Sequence, residues 1–538
     1  MEHADVTGMA GPVTLAEHVV DALAGHGVRR LFGIPGGGSS LDLIDAADTA
    51  GIDFVLARTE TAAAIMAAVT GELTGTPGVV LTGIGPGAAS AVNGVAYAHL
   101  ERAPLVLLTD GPASSRHQAL DQNALFAPIT KTQGRLRPAN GRADIEAAIR
   151  TALTPPWGPV HLDMTAADAA SPVSGATALP PDACTPSAKT EAVDAARHML
   201  ARSRRPLLIV GLEARHGGGP AAVRALADAL GCPVLQTYKA KGVLPDTPPG
   251  AVGMFTGAEA EDEVLDRADL LVFFGFDPVE MIPGPWRHTI PILELSPCDG
   301  AGHPSGADGR VIGPLGDTVG RLLPIDTASH WPPSEIDALR DRMRARLAVT
   351  GHGHTAQSVI EALAETAPKG CRLTVDSGAH MFSAMALWPA SEPFGVLKSN
   401  GLSTMGFALP AAVASGLQEP HRPVVALTGD GGLMMCLSEL TTAVDRGCPI
   451  VIVVVNDAAL SLIDIKQQRQ QRKSLGVRYP RVDFAATARA FGCPAWSVGL
   501  NEPLAPVLES AFAGDGPVLI DVAVDPGGYA DQLTALRG

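Results

Sequence analysis

A chain of 538 residues, 46% of them hydrophobic and 18% charged, with 59 Gly and 44 Pro, is too long for one hydrophobic core and has the balance of about three globular domains joined by tight turns. Its net charge of −16 is spread along the sequence, with no Lys/Arg stripe to follow phosphates, so nucleic acid is excluded as an expected partner. Seven scattered cysteines without a CxxC pair, an N-terminus without a basic and then apolar leader, and apolar runs no longer than a strand predict reduced thiols, a cytoplasmic location and no membrane span.

From the N-terminus onward, short β-branched runs alternate with Ala/Leu-rich stretches at helical spacing, the pattern of parallel sheets covered by helices on both faces. The first part, residues 12–165, offers strands at Arg30 to Ile34, Phe54 to Ala57, Val79 to Thr82, Leu105 to Thr109 and Val160 to Asp163. Glycine-rich pieces follow the first and third of these: Gly33-Ile34-Pro35-Gly36-Gly37-Gly38 and Gly85-Pro86-Gly87-Ala88-Ala89-Ser90. Either alone has the look of a dinucleotide loop, but no acidic residue follows Gly87 where a ribose ligand belongs, and the nicotinamide reading is set aside. Glu60 follows the second strand and opens a helix, in Thr59-Glu60-Thr61-Ala62-Ala63-Ala64-Ile65-Met66. By itself an acid in a first helical turn is a capping or dipole residue.

Segments rich in Pro, Ser, Ala and Asp near Thr165 to Lys189 and Pro324 to Glu335 set off a middle part, residues 190–324, and a third, residues 350–530. Strand candidates are Pro206 to Val210, Val234 to Thr237, Leu270 to Phe274 and Pro291 to Leu295 in the middle, and Arg372 to Val375, Val424 to Thr428, Ile450 to Val455 and Val518 to Val522 in the third. The sequence therefore predicts an α/β fold of three doubly wound parallel-sheet domains, each able to bind ligands at the carboxyl ends of its strands.

The strongest chemical signal lies in the third part. Gly429-Asp430-Gly431 ends one apolar strand, and after 24 intervening residues, with Leu433 to Val444 expected as helix, Asn456-Asp457 ends the next. Both polar groups thus fall at one edge of one sheet, where they offer hard oxygen ligands suited to Mg²⁺ or Ca²⁺. The glycines allow backbone N–H groups to approach a diphosphate. A turn followed by a helix cap would explain either element singly; the spacing with a strand before each favours a site.

In this pattern the chain resembles the thiamine diphosphate-dependent enzyme superfamily, whose cofactor motif is GDG, about two dozen residues, then NN. Asp457 stands where the second Asn is usual; the extra carboxylate strengthens metal binding and slightly repels the diphosphate. The resemblance implies pyrimidine-binding, central and diphosphate-binding domains. It makes Asp430, Asp457 and the backbone carbonyl of Ala459 the Mg²⁺ ligands and places Gly431 and Gly432 against the diphosphate. Gly401-Leu402-Ser403-Thr404-Met405-Gly406-Phe407-Ala408-Leu409-Pro410 is similar to the segment that carries an apolar wedge, Met405, beneath the bent cofactor, with Ser403 as a further contact; ordinary core packing is the other reading of Met405. Asp376-Ser377-Gly378-Ala379-His380 is similar to the loop that turns backbone N–H groups and His380 to the diphosphate. Glu60 matches the family's activating glutamate, whose carboxyl, if half-buried, shares a proton with the aminopyrimidine ring. Because Glu60 and the metal loops fall in different domains, the resemblance implies a homodimer or homotetramer with sites at the subunit interface.

Within the superfamily the likeness is greatest to the catalytic subunit of acetohydroxyacid (acetolactate) synthase, which implies a carboligase or lyase acting on a 2-oxo acid. His117-Gln118-Ala119-Leu120-Asp121 makes Gln118 the candidate to orient the substrate carbonyl, a surface amide being the alternative. The middle part also matches in Gln236-Thr237-Tyr238-Lys239-Ala240-Lys241-Gly242-Val243-Leu244-Pro245. Two departures speak against bound FAD and against joining pyruvate to pyruvate: Gly253-Met254-Phe255-Thr256-Gly257 lacks that group's His, and Phe276-Asp277-Pro278-Val279-Glu280-Met281 lacks its Arg. Leu81 and Thr82 stand where simple decarboxylases place His beside the cofactor, which favours ligation. A non-ligating decarboxylase, a silent scaffold subunit and a nucleotide-dependent oxidoreductase are the alternatives; a silent relative predicts loss of Glu60 or the metal ligands, and both remain.

Overall fold

The computed structural model describes residues 13–111, 117–173, 186–246, 250–300, 302–326 and 329–537. Cys184 and residues 174–185 of the first expected linker lie outside them. The chain packs as two compact units that divide near residue 183.

The first unit holds a six-stranded sheet of β1 (Arg30–Gly33), β2 (Asp53–Leu56), β3 (Gly78–Thr82), β4 (Leu105–Asp110), β5 (Gln133–Arg135) and β6 (Pro159–Met164). The second unit holds two such sheets. One comprises β7 (Pro206–Val210), β8 (Val234–Gln236), β9 (Ala251–Met254), β10 (Leu270–Phe274), β11 (Ile292–Ser296) and β12 (Gly309–Ile312). The other comprises β13 (Arg372–Val375), β14 (Val396–Lys398), β15 (Val424–Gly429), β16 (Ile450–Asn456), β17 (Ala495–Val498) and β18 (Val518–Ala523). The orders are β2-β1-β3-β4-β6-β5, β12-β11-β10-β7-β8-β9 and β14-β13-β15-β16-β18-β17, and every pairing is parallel. The α/β class and the three doubly wound sheets are as the sequence predicts.

Central strands such as β10 and β16 are buried along their whole length, as expected of a sheet with helices on both faces. In each sheet the chain reverses its direction of growth beside the first strand laid down: between β1 and β3, between β7 and β10, and between β13 and β15. Ligands of doubly wound sheets bind at such switch points, outside the carboxyl ends of the strands. The glycine-rich pieces of the first part lie at the first crevice, and Asp376-Ser377-Gly378 and Gly429-Asp430-Gly431 at the third.

Two local readings need correction. Leu433 to Val444 is not one helix but two, Asp430–Cys436 and Glu439–Asp445. The second expected linker ends in a helix, Pro333–Arg346, whose Ile336, Leu339 and Met343 join the core of the middle sheet together with Trp331. Its polar composition hides three apolar positions on one face.

Candidate active site

In the first unit, helix Glu60–Thr74 starts because the Thr59 hydroxyl accepts the Ala62 N–H at 3.1 Å, a side-chain cap for an otherwise unbonded donor. The helix behind it is buried from Ala62 to Val69. It packs so closely on helix Pro86–Leu100 that a Cβ at Gly94 would lie 2.5 Å from that of Ala64. Glu60 itself is half-buried and reaches the glycine turn after β3: a Cβ at Gly87 would lie 3.2 Å from Glu60 Oε1.

Gln118 has an exposed side chain and a left-handed backbone, φ 57°. Its carbonyl, not its amide, packs against Gly85. The amide that organises this turn is Gln122, buried and unremarked in the sequence: its Oε1 accepts the Gly85 N–H at 3.0 Å while its Nε2 donates to Thr109 Oγ1 at 2.9 Å and to the Asp110 carbonyl at 3.1 Å. The other glycine piece, Gly33 to Gly38, closes on the chain's own anion. Asp110 Oδ2 accepts the Gly38 N–H at 3.1 Å, and Oδ1 accepts the Ser40 N–H at 2.7 Å and the Ser39 hydroxyl at 2.9 Å. A carboxylate thus takes the helix-end position that a dinucleotide phosphate would need, which accounts physically for setting the nicotinamide reading aside.

In the second unit, one cavity of about 220 Å³ at the β13/β15 switch point is lined by Ser377, Gly378, His380, Ser403, Met405, Asp430, Gly431, Gly432, Asp457 and Ala459. Ten sequence candidates from four separate segments therefore converge. Met405 is half-buried on the cavity wall rather than sunk in the core, and a Cβ at Gly431 would lie 3.5 Å from its Cε and 2.7 Å from Leu460 Cδ2. Gly378 and Gly429 make room for the His380 ring, since a Cβ at either would lie 2.7 or 3.2 Å from its Cε1.

The residue that holds these segments together is Asp376, which in the sequence is one more polar residue of a loop. Buried at the end of β13, it accepts the N–H groups of Ser377 at 2.9 Å, Gly406 at 3.0 Å and Phe407 at 3.3 Å, and the Thr428 hydroxyl at 3.0 Å. Gly432 must be glycine because a Cβ would collide with its Oδ2. Burial pushes Asp376 up to about 6, against the pull of those four donors.

Around the cavity Ser377 Oγ and His380 Nε2 remain without partners, and Asp430 Oδ2 and the Tyr479 hydroxyl beside Gly431 make no close hydrogen bond, although the phenol interacts with the Asp430 carboxyl. Buried polar atoms are otherwise almost always bonded, so their convergence marks a place for a polar ligand. Burial drives His380 down to about 4, leaving a neutral ring. Burial, and then the neighbouring Asp457 charge, push Asp430 up to about 6, while its Oδ1 accepts the Gly431 N–H at 2.8 Å. Asp457, also pushed up by burial, accepts the Ser461 hydroxyl at 2.6 Å and the Ala459 N–H at 3.2 Å. Ala458, at φ 58°, makes the turn that sets Ala459 on the same wall. Two crowded carboxylates that resist ionisation side by side suit a hard divalent cation. Among the described residues no group of three His, Cys, Asp or Glu side chains could hold a metal, so such an ion needs backbone and ligand oxygens as well.

The middle sheet is built differently. At its switch point Glu280 Oε2 accepts the Leu212 N–H at 2.9 Å and its Oε1 accepts the Thr237 hydroxyl at 2.5 Å; a Cβ at Gly211 would lie 2.8 Å from Oε2. The donors that would receive a dinucleotide diphosphate face this carboxyl, and the residues present do not fit FAD there. Burial pushes Glu280 up to about 8 from 4.5. Because the folded value lies above the unfolded one, its stabilising effect is full below about pH 4.5 and is lost as pH rises through about 8. Thermal melts should therefore show wild type losing more stability between pH 5 and pH 9 than Glu280→Gln; parallel curves would refute the assignment.

No helix among the described residues is long and apolar enough to cross a membrane.

Three family models match the chain in the order of its sheets: thiamine pyrophosphate enzyme N-terminal TPP-binding domain over residues 13–130, central domain over 193–294 and C-terminal TPP-binding domain over 376–522. The chain is 30% identical to an acetolactate synthase of Bacillus subtilis, covering 96% of this chain and 94% of that one. It is likewise 30% identical to a catabolic acetolactate synthase of Raoultella terrigena, over 95% of both, and 29% identical to a candidate 2-ketoarginine decarboxylase of Pseudomonas aeruginosa, again over 95% of this chain and 94% of that one. A solved structure of a candidate thiamin diphosphate-dependent enzyme from Mycobacterium smegmatis shares the fold, with a TM-score of 0.83 at 21% identity over 96% of this chain and all of that one. The chain is an enzyme of the thiamine diphosphate-dependent class. Within that class it belongs to the acetolactate synthase family.

Proposed function

We propose that the protein decarboxylates a 2-oxo acid and transfers the resulting acyl-anion equivalent to a carbonyl acceptor, as an acetolactate synthase-like carboligase dependent on thiamine diphosphate and Mg²⁺. The observation that carries this reading is the convergence of Ser377 Oγ and His380 Nε2, both buried without partners, with Asp430 Oδ2, which makes no close hydrogen bond, on the glycine-lined cavity at the third switch point. When bound, the cofactor supplies the electron sink for loss of carbon dioxide. Asp430, Asp457 and the Ala459 carbonyl would hold the metal; Gly432 and Gly378 would offer backbone N–H groups and Ser377 its hydroxyl to the diphosphate, with Gly431, whose N–H bonds Asp430, leaving room beside it. His380, neutral, adds a ring N–H. Ser403 and Met405 shape the floor beneath the cofactor. Glu60 would hold and return a proton at its half-buried carboxyl for the aminopyrimidine ring, the acid–base role of the site. Gln118 is proposed to orient the substrate carbonyl. A homodimer or homotetramer in the cytoplasm is proposed as the working form.

Simple decarboxylation is the second reading, favoured by the likeness to the Pseudomonas protein. Against it, Leu81 and Thr82, where a decarboxylase would carry His, are both buried in β3. Incubation with thiamine diphosphate, Mg²⁺ and a panel of 2-oxo acids, with products followed by mass spectrometry, separates the two. Hydroxy-oxo acid products support ligation. Aldehydes alone would establish the second reading, and no carbon dioxide from any acid would refute both.

A further inference from the structure

Ile463 lines two cavities at once. On one side is the cofactor cavity; on the other is a groove of about 610 Å³ lined by Lys466, Gln467, Gln470, Arg472, Lys473 and Leu475. The groove adjoins the site through Ile463, which both share, on the helix Ser461–Arg469 that follows Asp457 to Ala459 in the chain.

Its shape is fixed by amide and backbone bonds rather than by its cations. Gln467 Nε2 donates to the Leu475 carbonyl at 3.0 Å, Gln467 Oε1 accepts the Leu475 N–H at 3.0 Å, and the Arg472 N–H donates to the Gln467 carbonyl at 2.8 Å. The cations are left over. Among the described residues Lys466, Arg472 and Lys473 form no side-chain hydrogen bond or ion pair, whereas their neighbours do: Arg469 donates to the Ala530 carbonyl at 3.0 Å and Arg478 pairs with Asp464 at 2.5 Å. No acidic residue lines the groove. On a chain of net charge −16, three unpaired cations around one hollow repel one another and attract an anion.

We propose that this groove receives a second anionic group, carboxylate or phosphate, on the donor 2-oxo acid, whose reacting carbonyl lies in the cofactor cavity. The proposal rests on the thiamine diphosphate reading and deepens it by naming the substrate class: a 2-oxo acid with a second anionic group, with Ile463 packing against its connecting carbons. A guanidino 2-oxo acid is disfavoured by the same charges. The run Lys466-Gln467-Gln468-Arg469-Gln470-Gln471-Arg472-Lys473 is thus a local exception to the evenly spread charge of the chain.

The test has two arms. Glutarate, which lacks the 2-oxo group, is titrated by calorimetry into the cofactor-loaded protein and into the Lys466→Ala/Arg472→Ala/Lys473→Ala variant, with butanoate as the monoanionic reference. Glutarate binding should weaken about tenfold in the variant and fall with added salt, the scale of a few exposed ion pairs. In the second arm the ratio of kcat/KM for 2-oxoglutarate or 3-phosphohydroxypyruvate over that for pyruvate should fall about tenfold, chiefly through KM; whichever acid falls further identifies carboxylate or phosphate as the preferred group. Unchanged glutarate affinity and an unchanged ratio would overturn the proposal, as would a variant altered only in oligomeric state. Cation-dependent glutarate binding without turnover of any 2-oxo acid would sustain the groove and refute the reading of function.

Discussion

Asp430→Ala should abolish Mg²⁺-dependent retention of thiamine diphosphate, with the dissociation constant rising by ~10²-fold or more, since a hard cation bound by few carboxylates cannot spare one of them. The expectation rests on position. Asp430 begins the helix after β15 at the switch point, one oxygen fixed by the Gly431 N–H and the other buried with no close hydrogen bond. In the absence of cofactor the variant should melt no lower than wild type. Removing a buried carboxyl that resists ionisation relieves about 1–3 kcal/mol, which offsets the lost contacts with the Gly431 N–H and the Tyr479 hydroxyl. This separates a ligand role from a structural one: a variant that melts well below wild type without cofactor, or that keeps wild-type affinity, would contradict it.

Glu60→Gln should leave cofactor affinity within a few-fold of wild type and lower turnover by ~10²–10⁴-fold, the range for loss of one acid–base group. The amide is isosteric and fits the half-buried space beside Gly87, so neither the Thr59 cap nor the packing around Gly94 is disturbed. What it cannot do is accept and return a proton. Calorimetry and carbon dioxide release measured on one preparation distinguish the outcomes; undiminished turnover would remove Glu60 from the mechanism, and lost binding would recast it as a cofactor contact.

Most of the fold was legible because buried parallel strands are near-continuous apolar runs. Thirteen of the eighteen strands were so predicted; the five missed, β5, β9, β12, β14 and β17, all lie at sheet edges. There one side is open to solvent and the run is short, so Gln133-Gly134-Arg135 and Gly309-Arg310-Val311-Ile312 carry too little apolar signal. The break at Leu437-Ser438 has no Gly or Pro to announce it. In the site, residues within motifs were legible and those that support motifs from elsewhere in the sequence were not. Asp376 and Asp110 look like ordinary loop and strand-end acids, yet each gathers N–H groups from a distant segment. Gln122 was obscured by Gln118, because nothing in the local sequence reveals which amide points inward. The groove beyond Ile463 was overlooked because glutamines dilute its basic residues.

The central claim is that the crevice between β13 and β15, with its orphaned oxygens and nitrogen, is a metal-bridged diphosphate site. Calorimetric titration of the purified, cofactor-free protein with thiamine diphosphate tests it most directly. Saturable binding at one site per chain is expected in the presence of Mg²⁺, with its loss when EDTA replaces the metal. Absence of saturable binding in Mg²⁺, or the same affinity in EDTA, would contradict it.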